Sequence, residues 1–153
     1  MKGVIEIDHG WKRIERELKR MDASYVKVGL LSGAGSYAGG GRANLVDIGT
    51  FNEFGTKTIP ERPFMRQSFE KNIAAIRKRF DSLVREIYVG RTDTEGALHE
   101  IGERHKGEIQ GEIVSGGWTP NAPSTIRKKG SSKPLIDTGA MRQAINYEVE
   151  VKG

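Results

Sequence analysis

The sequence predicts an α+β fold: a small, mostly antiparallel sheet packed with amphipathic helices, including one long helix at about 64–89. Three observations lead there. Phe69, Ile73, Ile76, Phe80, Leu83 and Ile87 step by four, three, four, three and four, which places them along one side of a helix. Two other stretches, 24–31 and 145–151, alternate with a period of two and are rich in β-branched residues, the signature of strands. Glycine and proline cluster between these segments, in 33–42, 55–63 and 115–133.

At 153 residues the chain fits one domain, 1–153, with a flexible glycine-rich loop at 32–43 and an extended loop at 115–133. A chain of this length buries roughly 68–70% of its unfolded surface, enough for a core without covalent staples. The absence of cysteine excludes a disulfide scaffold, a thiolate zinc site, an iron–sulfur centre and a cysteine nucleophile. With 25 Lys and Arg against 20 Asp and Glu the net charge is +5. That permits contact with an anionic surface, although charges of both signs mostly make a solvated exterior. The opening MKGVIEIDHGWKRIE meets charge too early for a signal peptide, and no run approaches the roughly 18 apolar residues of a membrane span, so a soluble intracellular protein is expected.

Taken in order, Val4, Ile5 and Ile7 make a short apolar opening, a strand or an extended arm. Asp8 is placed to cap a helix over 9–22, whose apolar face is Trp11, Ile14, Leu18 and Met21. A strand at 24–31 follows, with Val26 and Val28 alternating with Tyr25 and Lys27. Eight glycines fall between Gly29 and Gly55, and those from Gly33 to Arg42 predict a mobile surface loop that orders on meeting a neighbour. Asn44 caps a helix over 44–54 that Gly55 terminates. Pro60 and Pro63 make 56–63 an extended connector into the long helix. Beyond Gly90 a further helix starts with Thr92 or Thr94 as its cap and carries Leu98, Ile101, Ile109 and Ile113. Its Gly107 and Gly111 share a face, which suggests close packing on a neighbouring element. Residues 115–133 are loop with one helical turn at 123–129. Thr138 then caps a short helix, and 145–151 closes the chain as an edge strand.

The motifs that would announce chemistry are missing or misspaced. Gly33, Gly35 and Gly39 give a spacing one residue too long for the dinucleotide fingerprint, and Lys129-Gly130-Ser131 reverses the order a phosphate loop needs. His99 and His105 are six apart and do not share a helix face as metal ligands. There is no nucleophile elbow, and the carboxylates Glu100 and Glu103 read as a solvated face. The expectation is a protein that is not an enzyme and binds no cofactor or metal. Arg77-Lys78-Arg79 and Arg127-Lys128-Lys129 allow sequence-independent backbone contact with DNA, but a solvated face explains them as well.

Two stretches carry a family resemblance: FNEFGTKTIPERPFMRQSF at 51–69 and WTPNAPSTIRKKGSSKPLIDTGAMRQAINYEVEV at 118–151. N-E-F-G-T leading to I-P-x-R-P-F, then P-L-I-D-T-G before a short helix and a strand, resembles the tail-completion or neck proteins of tailed bacteriophages. These are virion morphogenesis proteins, also described as tail components. The resemblance covers most of 24–151. It implies a structural subunit of the head–tail connector that forms a homo-hexameric ring between the capsid portal or adaptor and the tail terminator. It also implies localisation to the virion after assembly in the bacterial host cytoplasm, with no membrane partner. The implied interface candidates are Phe54, Gly55, Arg62, Phe64, Arg66, Trp118, Asp137 and Thr138. Gly55 and Pro60 would shape a turn, and Arg62 and Pro63 would present Phe64 as a hydrophobic peg, unless Phe64 simply begins the core of the long helix. Capping alone would account for Asp137 and Thr138. Basic residues would line a ring lumen through which DNA passes. The competing readings are a basic DNA-binding protein acting alone and a small enzyme whose site leaves no pattern.

Overall fold

The computed structural model describes residues 8–36 and 44–152. The apolar arm at 4–7 and the part of the glycine-rich loop at 37–43 lie outside the described residues. The elements are α1 (Trp11–Ala23), β1 (Tyr25–Leu30), α2 (Leu45–Phe54), α3 (Phe64–Tyr88), α4 (Thr94–Ser115), α5 (Pro123–Lys129), α6 (Ala140–Ala144) and β2 (Ile145–Glu150). The fold is α+β, with the long helix where periodicity places it. Among the described residues the sheet has two strands: β1 and β2 run antiparallel, Tyr25 opposite Glu150 and Leu30 opposite Ile145. Val26, Val28 and Leu30 turn toward the helices, while Tyr25 and Lys27 face outward and both bond to Glu150.

Helices α3 and α4 form the frame. Gln67 and Lys71 donate to Glu112, and Arg79 binds Glu100, so the two helices run antiparallel along their length. Apolar side chains collect at both ends of this hairpin. One cluster joins Leu45, Phe64, Ile109, Ile113, Leu135, Met141 and Ile145. The other joins Leu83, Ile87, Ala97 and Ile101, with Met21, Val26 and Ile76 against them. The sheet lies on α4, where a Cβ at Gly102 would overlap the Tyr147 ring. Gly102 therefore marks the close approach. Gly107 and Gly111 do not: both face outward, and a Cβ at either would meet nothing within 4 Å.

The seam of α3 is correspondingly narrower than its sequence implies. Leu83 and Ile87 are buried, but Phe69 and Phe80 remain 47% and 41% exposed. The inward line runs through Phe64, Ser68, Ile76, Leu83 and Ile87, so Phe69 sits one residue, about 100°, away from it. A strict heptad also drifts relative to a straight helix. With α4 as its one long partner, α3 cannot cover both edges of that stripe. Phe69 instead makes an edge contact with the ring of His105.

Helix ends follow capping rules, with two shifts of position. Asp8 Oδ1 accepts from the backbone of Gly10 and Trp11, and Asn44 forms a reciprocal capping box with Asp47. At α4 the cap is Asp93, whose carboxylate accepts from Gly96 N–H, rather than Thr92 or Thr94. Gly139 occupies the cap position of α6, and Thr138 Oγ1 accepts from Ala140 N–H.

Two polar clasps hold α1 on the frame. Arg13 donates to the carbonyls of Ile87 and Tyr88 at 2.6 Å, satisfying the C-terminus of α3. Buried Glu17 accepts from both the backbone and the hydroxyl of Thr94. Burial pushes the Glu17 carboxyl pKa up, but those bonds and the Arg20 charge outweigh it and leave it below its ordinary 4.5.

Truncation of Leu83 to alanine is expected to cost about 2–5 kcal/mol and clearly more than the same change at Phe80, in urea titrations of both variants. For Glu17, the folded carboxylate holds its proton less tightly than the unfolded one. Its contribution is therefore complete above pH 4.5 and lost as pH falls through the lowered folded value. Glu17→Gln should remove that part of the acid dependence, seen as a flatter stability curve below about pH 5.

Candidate functional site

Helix α2 ends in a segment whose polar residues all bond inward. Asn52 Nδ2 donates to the Ile48 carbonyl, fixing the side chain so that its Oδ1 accepts from Arg62 Nη1 at 2.9 Å. The Asn52 carbonyl accepts from Arg62 N–H at 2.7 Å. Between them the chain reverses. Gly55 sits at φ 71, and a Cβ there would lie 3.1 Å from the Glu61 nitrogen, so the position needs glycine for both conformation and space. Thr56 Oγ1 accepts from the backbone of Thr58 and Ile59 and closes the turn.

Glu53 solves a second problem. Helix α3 starts at Pro63-Phe64 without a side-chain cap of its own. The two Glu53 carboxylate oxygens accept from Met65 N–H and Arg66 N–H at 2.9 and 3.0 Å. A buried anion thus meets the orphan donors and positive dipole end of α3. Phe64, fully buried directly beside it, is core and not a projecting peg.

Arg62 reaches the other way, across to the segment that leads into α5. Its Nε donates to the Thr119 carbonyl at 2.9 Å, and its Nη2 to the Pro120 carbonyl and Asn121 Oδ1 at 3.3 and 3.1 Å. The guanidinium is buried, and burial pulls its pKa below the usual arginine value. Its bond acceptors are neutral oxygens. This one side chain therefore ties the 51–69 stretch to the 118–151 stretch.

Over this clasp lies a groove of about 640 Å³. Its floor and walls include Leu45 and Ile48 from α2, Ile59 and Pro60 from the connector, and Leu135 and Met141 near α6. Leu135 is buried at φ 60, an unusual backbone for a branched side chain. Arg62, Lys128 and Lys129 supply three cations against the one carboxylate of Asp137. Burial, aided by the Arg62 charge, lowers the Lys129 pKa. Among the described residues, no group of three or more His, Asp or Glu is placed to hold a metal ion.

Of the residues singled out from sequence, the groove brings together Arg62, Asp137 and Thr138. Gly55 shapes the adjoining turn. Phe54 points away and is 69% exposed. Arg66 pairs with Glu61 on the surface. Trp118 is half-buried against the core cluster, its indole N–H donating to the Ile113 carbonyl at 3.3 Å. Asn52 and Glu53 open the N-E-F-G-T motif but have no role assigned from sequence, although one signal was present: a proline-started helix with no Ser, Thr, Asp or Asn before it needs an acceptor from elsewhere. Comparison of the chain with protein-family models, curated proteins and solved structures finds no match.

Arg62→Lys keeps the charge but loses the planar fork. It is expected to cost about 1.5–3 kcal/mol in urea unfolding, the worth of hydrogen bonds to a charged group. A loss within experimental error would mean that water replaces the clasp.

Proposed function

We propose that this chain is a structural subunit of a bacteriophage head–tail connector, a neck or tail-completion protein that joins the portal or adaptor to the tail as a ring of identical copies. The observation that supports the reading is the Arg62 clasp. The two stretches that resemble the neck proteins are far apart in sequence, yet they meet through Arg62 and Thr119, Pro120 and Asn121 around one groove. A resemblance confined to surface loops would have no such common element.

The distribution of exposed apolar side chains also favours a subunit. Trp11 and Val89 lie toward one end of the α3–α4 frame, and Phe51 and Phe54 at the other, each well exposed. Several modest contact surfaces suit a subunit repeated by symmetry, where each contact is multiplied around a ring. The alternative of an isolated DNA-binding protein loses support from the pairing of its basic residues. Arg79 is held by Glu86 and Glu100, and Lys129 folds toward the Lys133 carbonyl. Arg77, Lys78 and Arg127 stay exposed and are available to face DNA in a lumen.

Removal of the gene from a phage that encodes this chain should leave DNA-filled or emptied heads beside separate tails in electron micrographs. Infectious particles lacking the polypeptide would sink the connector reading. Binding of the isolated chain to free duplex, with a steep loss on adding salt, would favour the DNA-binding alternative.

A further inference from the structure

We infer that the groove beside Arg62 receives residues 4–7 of a neighbouring copy of the chain, so that copies join head to tail by exchanging their apolar arms. The inference rests on the self-association proposed above and names the contact that makes it.

Three features of the groove select the occupant. It is open to solvent, with apolar walls at Leu45, Ile48, Ile59 and Leu135. It is rich in positive charge, because Arg62 spends its hydrogen bonds on neutral oxygens and Lys128 and Lys129 stand beside it. Its rim is also shared by the loop before α5, at Asn121 and Ala122, and the turn into α6, at Asp137, Thr138 and Gly139. An extended, apolar, acidic peptide meets all three conditions. The sequence V-I-E-I at 4–7, apolar but for the carboxylate of Glu6, is such a peptide. In an extended chain successive side chains alternate, so Ile5 and Ile7 fall on one face and Glu6 on the other. The isoleucines match the walls, and Glu6 matches the lysines, while Asp8 stays with its own α1.

The arm cannot serve its own groove. It leaves the fold at Asp8, which caps α1, and α1 is fastened by Arg13 to the C-terminal end of α3 at Ile87 and Tyr88. The groove lies at the opposite end, beside Arg62, just before α3 begins. Those ends are separated by a 25-residue helix, about 37 Å at 1.5 Å per residue. From Asp8 back to Val4 an extended chain reaches only about 14 Å. A second copy is the donor that geometry allows. Arm and groove are different surfaces, so the contact is heterologous, and repetition with the correct rotation closes a ring.

The chain has no cysteine, so introduced ones report contacts cleanly. Full-length chains carrying Ile5→Cys are mixed with chains carrying Thr125→Cys on the groove wall and oxidised. A mixed disulfide dimer is expected. Chains carrying Gly107→Cys, on the outward face of α4, should give none. In parallel, a fluorescent peptide MKGVIEIDHG is titrated into the full-length protein. Saturable binding is expected, weakened by about tenfold or more in the Lys128→Glu, Lys129→Glu variant, since reversal places like charges together. No peptide binding, or cross-linking to Gly107→Cys as readily as to Thr125→Cys, overturns the inference. Phage that join heads and tails without this chain, alongside an Ile5→Cys to Thr125→Cys cross-link, would sink the connector reading and leave arm exchange standing.

Discussion

The start of helix α3 is the constraint on which the remaining structure depends. A helix that begins at Pro63-Phe64 exposes N–H groups with no local acceptor, and Phe64 must at the same time be driven into the core. Glu53 meets the first requirement by accepting from Met65 and Arg66. Its carboxylate can be buried because the helix supplies both hydrogen bonds and a positive dipole end. That bond fixes the end of α2 against the start of α3. The intervening turn has no freedom to choose another path, and Gly55 is the residue that can make the reversal. The same turn delivers Arg62 to the loop before α5. Local backbone chemistry at one helix end thereby organises contacts between segments almost sixty residues apart in the chain.

The α3–α4 hairpin turns this local order into a long rigid body with two separate apolar clusters. Neither end could be stable in isolation, since each cluster draws on elements from distant parts of the chain. The Leu83–Ile101 cluster recruits α1 and β1, while the Phe64–Ile113 cluster recruits α2, α6 and both strands. Alongside each cluster the helices also meet through charged and polar side chains: Glu112 with Gln67 and Lys71, and Glu100 with Arg79. The Glu100 carboxyl is held below its ordinary value, first by the Arg79 hydrogen bond, with burial opposing it.

Much of this was legible from periodicity and punctuation, and the failures share one cause. The boundaries of α2, α3 and α5, and the alternation of β1 and β2, follow from local rules, because caps, glycines and prolines act within four residues. What a side chain meets across the fold leaves no comparable mark. Phe64 could be read as a peg or as core with equal justice, since nothing nearby in sequence reveals Ile109 and Ile145. Gly107 and Gly111 looked like a packing face, yet Gly102 is the one that admits Tyr147. The site was half legible for the same reason: Arg62, Asp137 and Thr138 lie in noticeable motifs. Glu53 acts at a distance of twelve residues and Leu135 through its backbone angle, which composition does not encode.

The choice of arginine at position 62 has a further consequence for what the groove can hold. A buried guanidinium paired with a carboxylate would be electrically silent, and the groove would then select by shape and apolar area alone. Here the four side-chain hydrogen bonds end on two backbone carbonyls and two asparagine oxygens, which satisfy the donors without cancelling the charge. Burial, aided by the Arg62 charge, lowers the Lys129 pKa in the groove beside it. Leaving such charge near a low-dielectric wall costs stability in the free subunit. An acidic occupant relieves that cost, so part of its binding free energy comes from removing repulsion already present among Arg62, Lys128 and Lys129. An equally apolar but neutral peptide gains no such relief. The clasp that holds the fold together therefore also biases the groove toward one chemical class of partner.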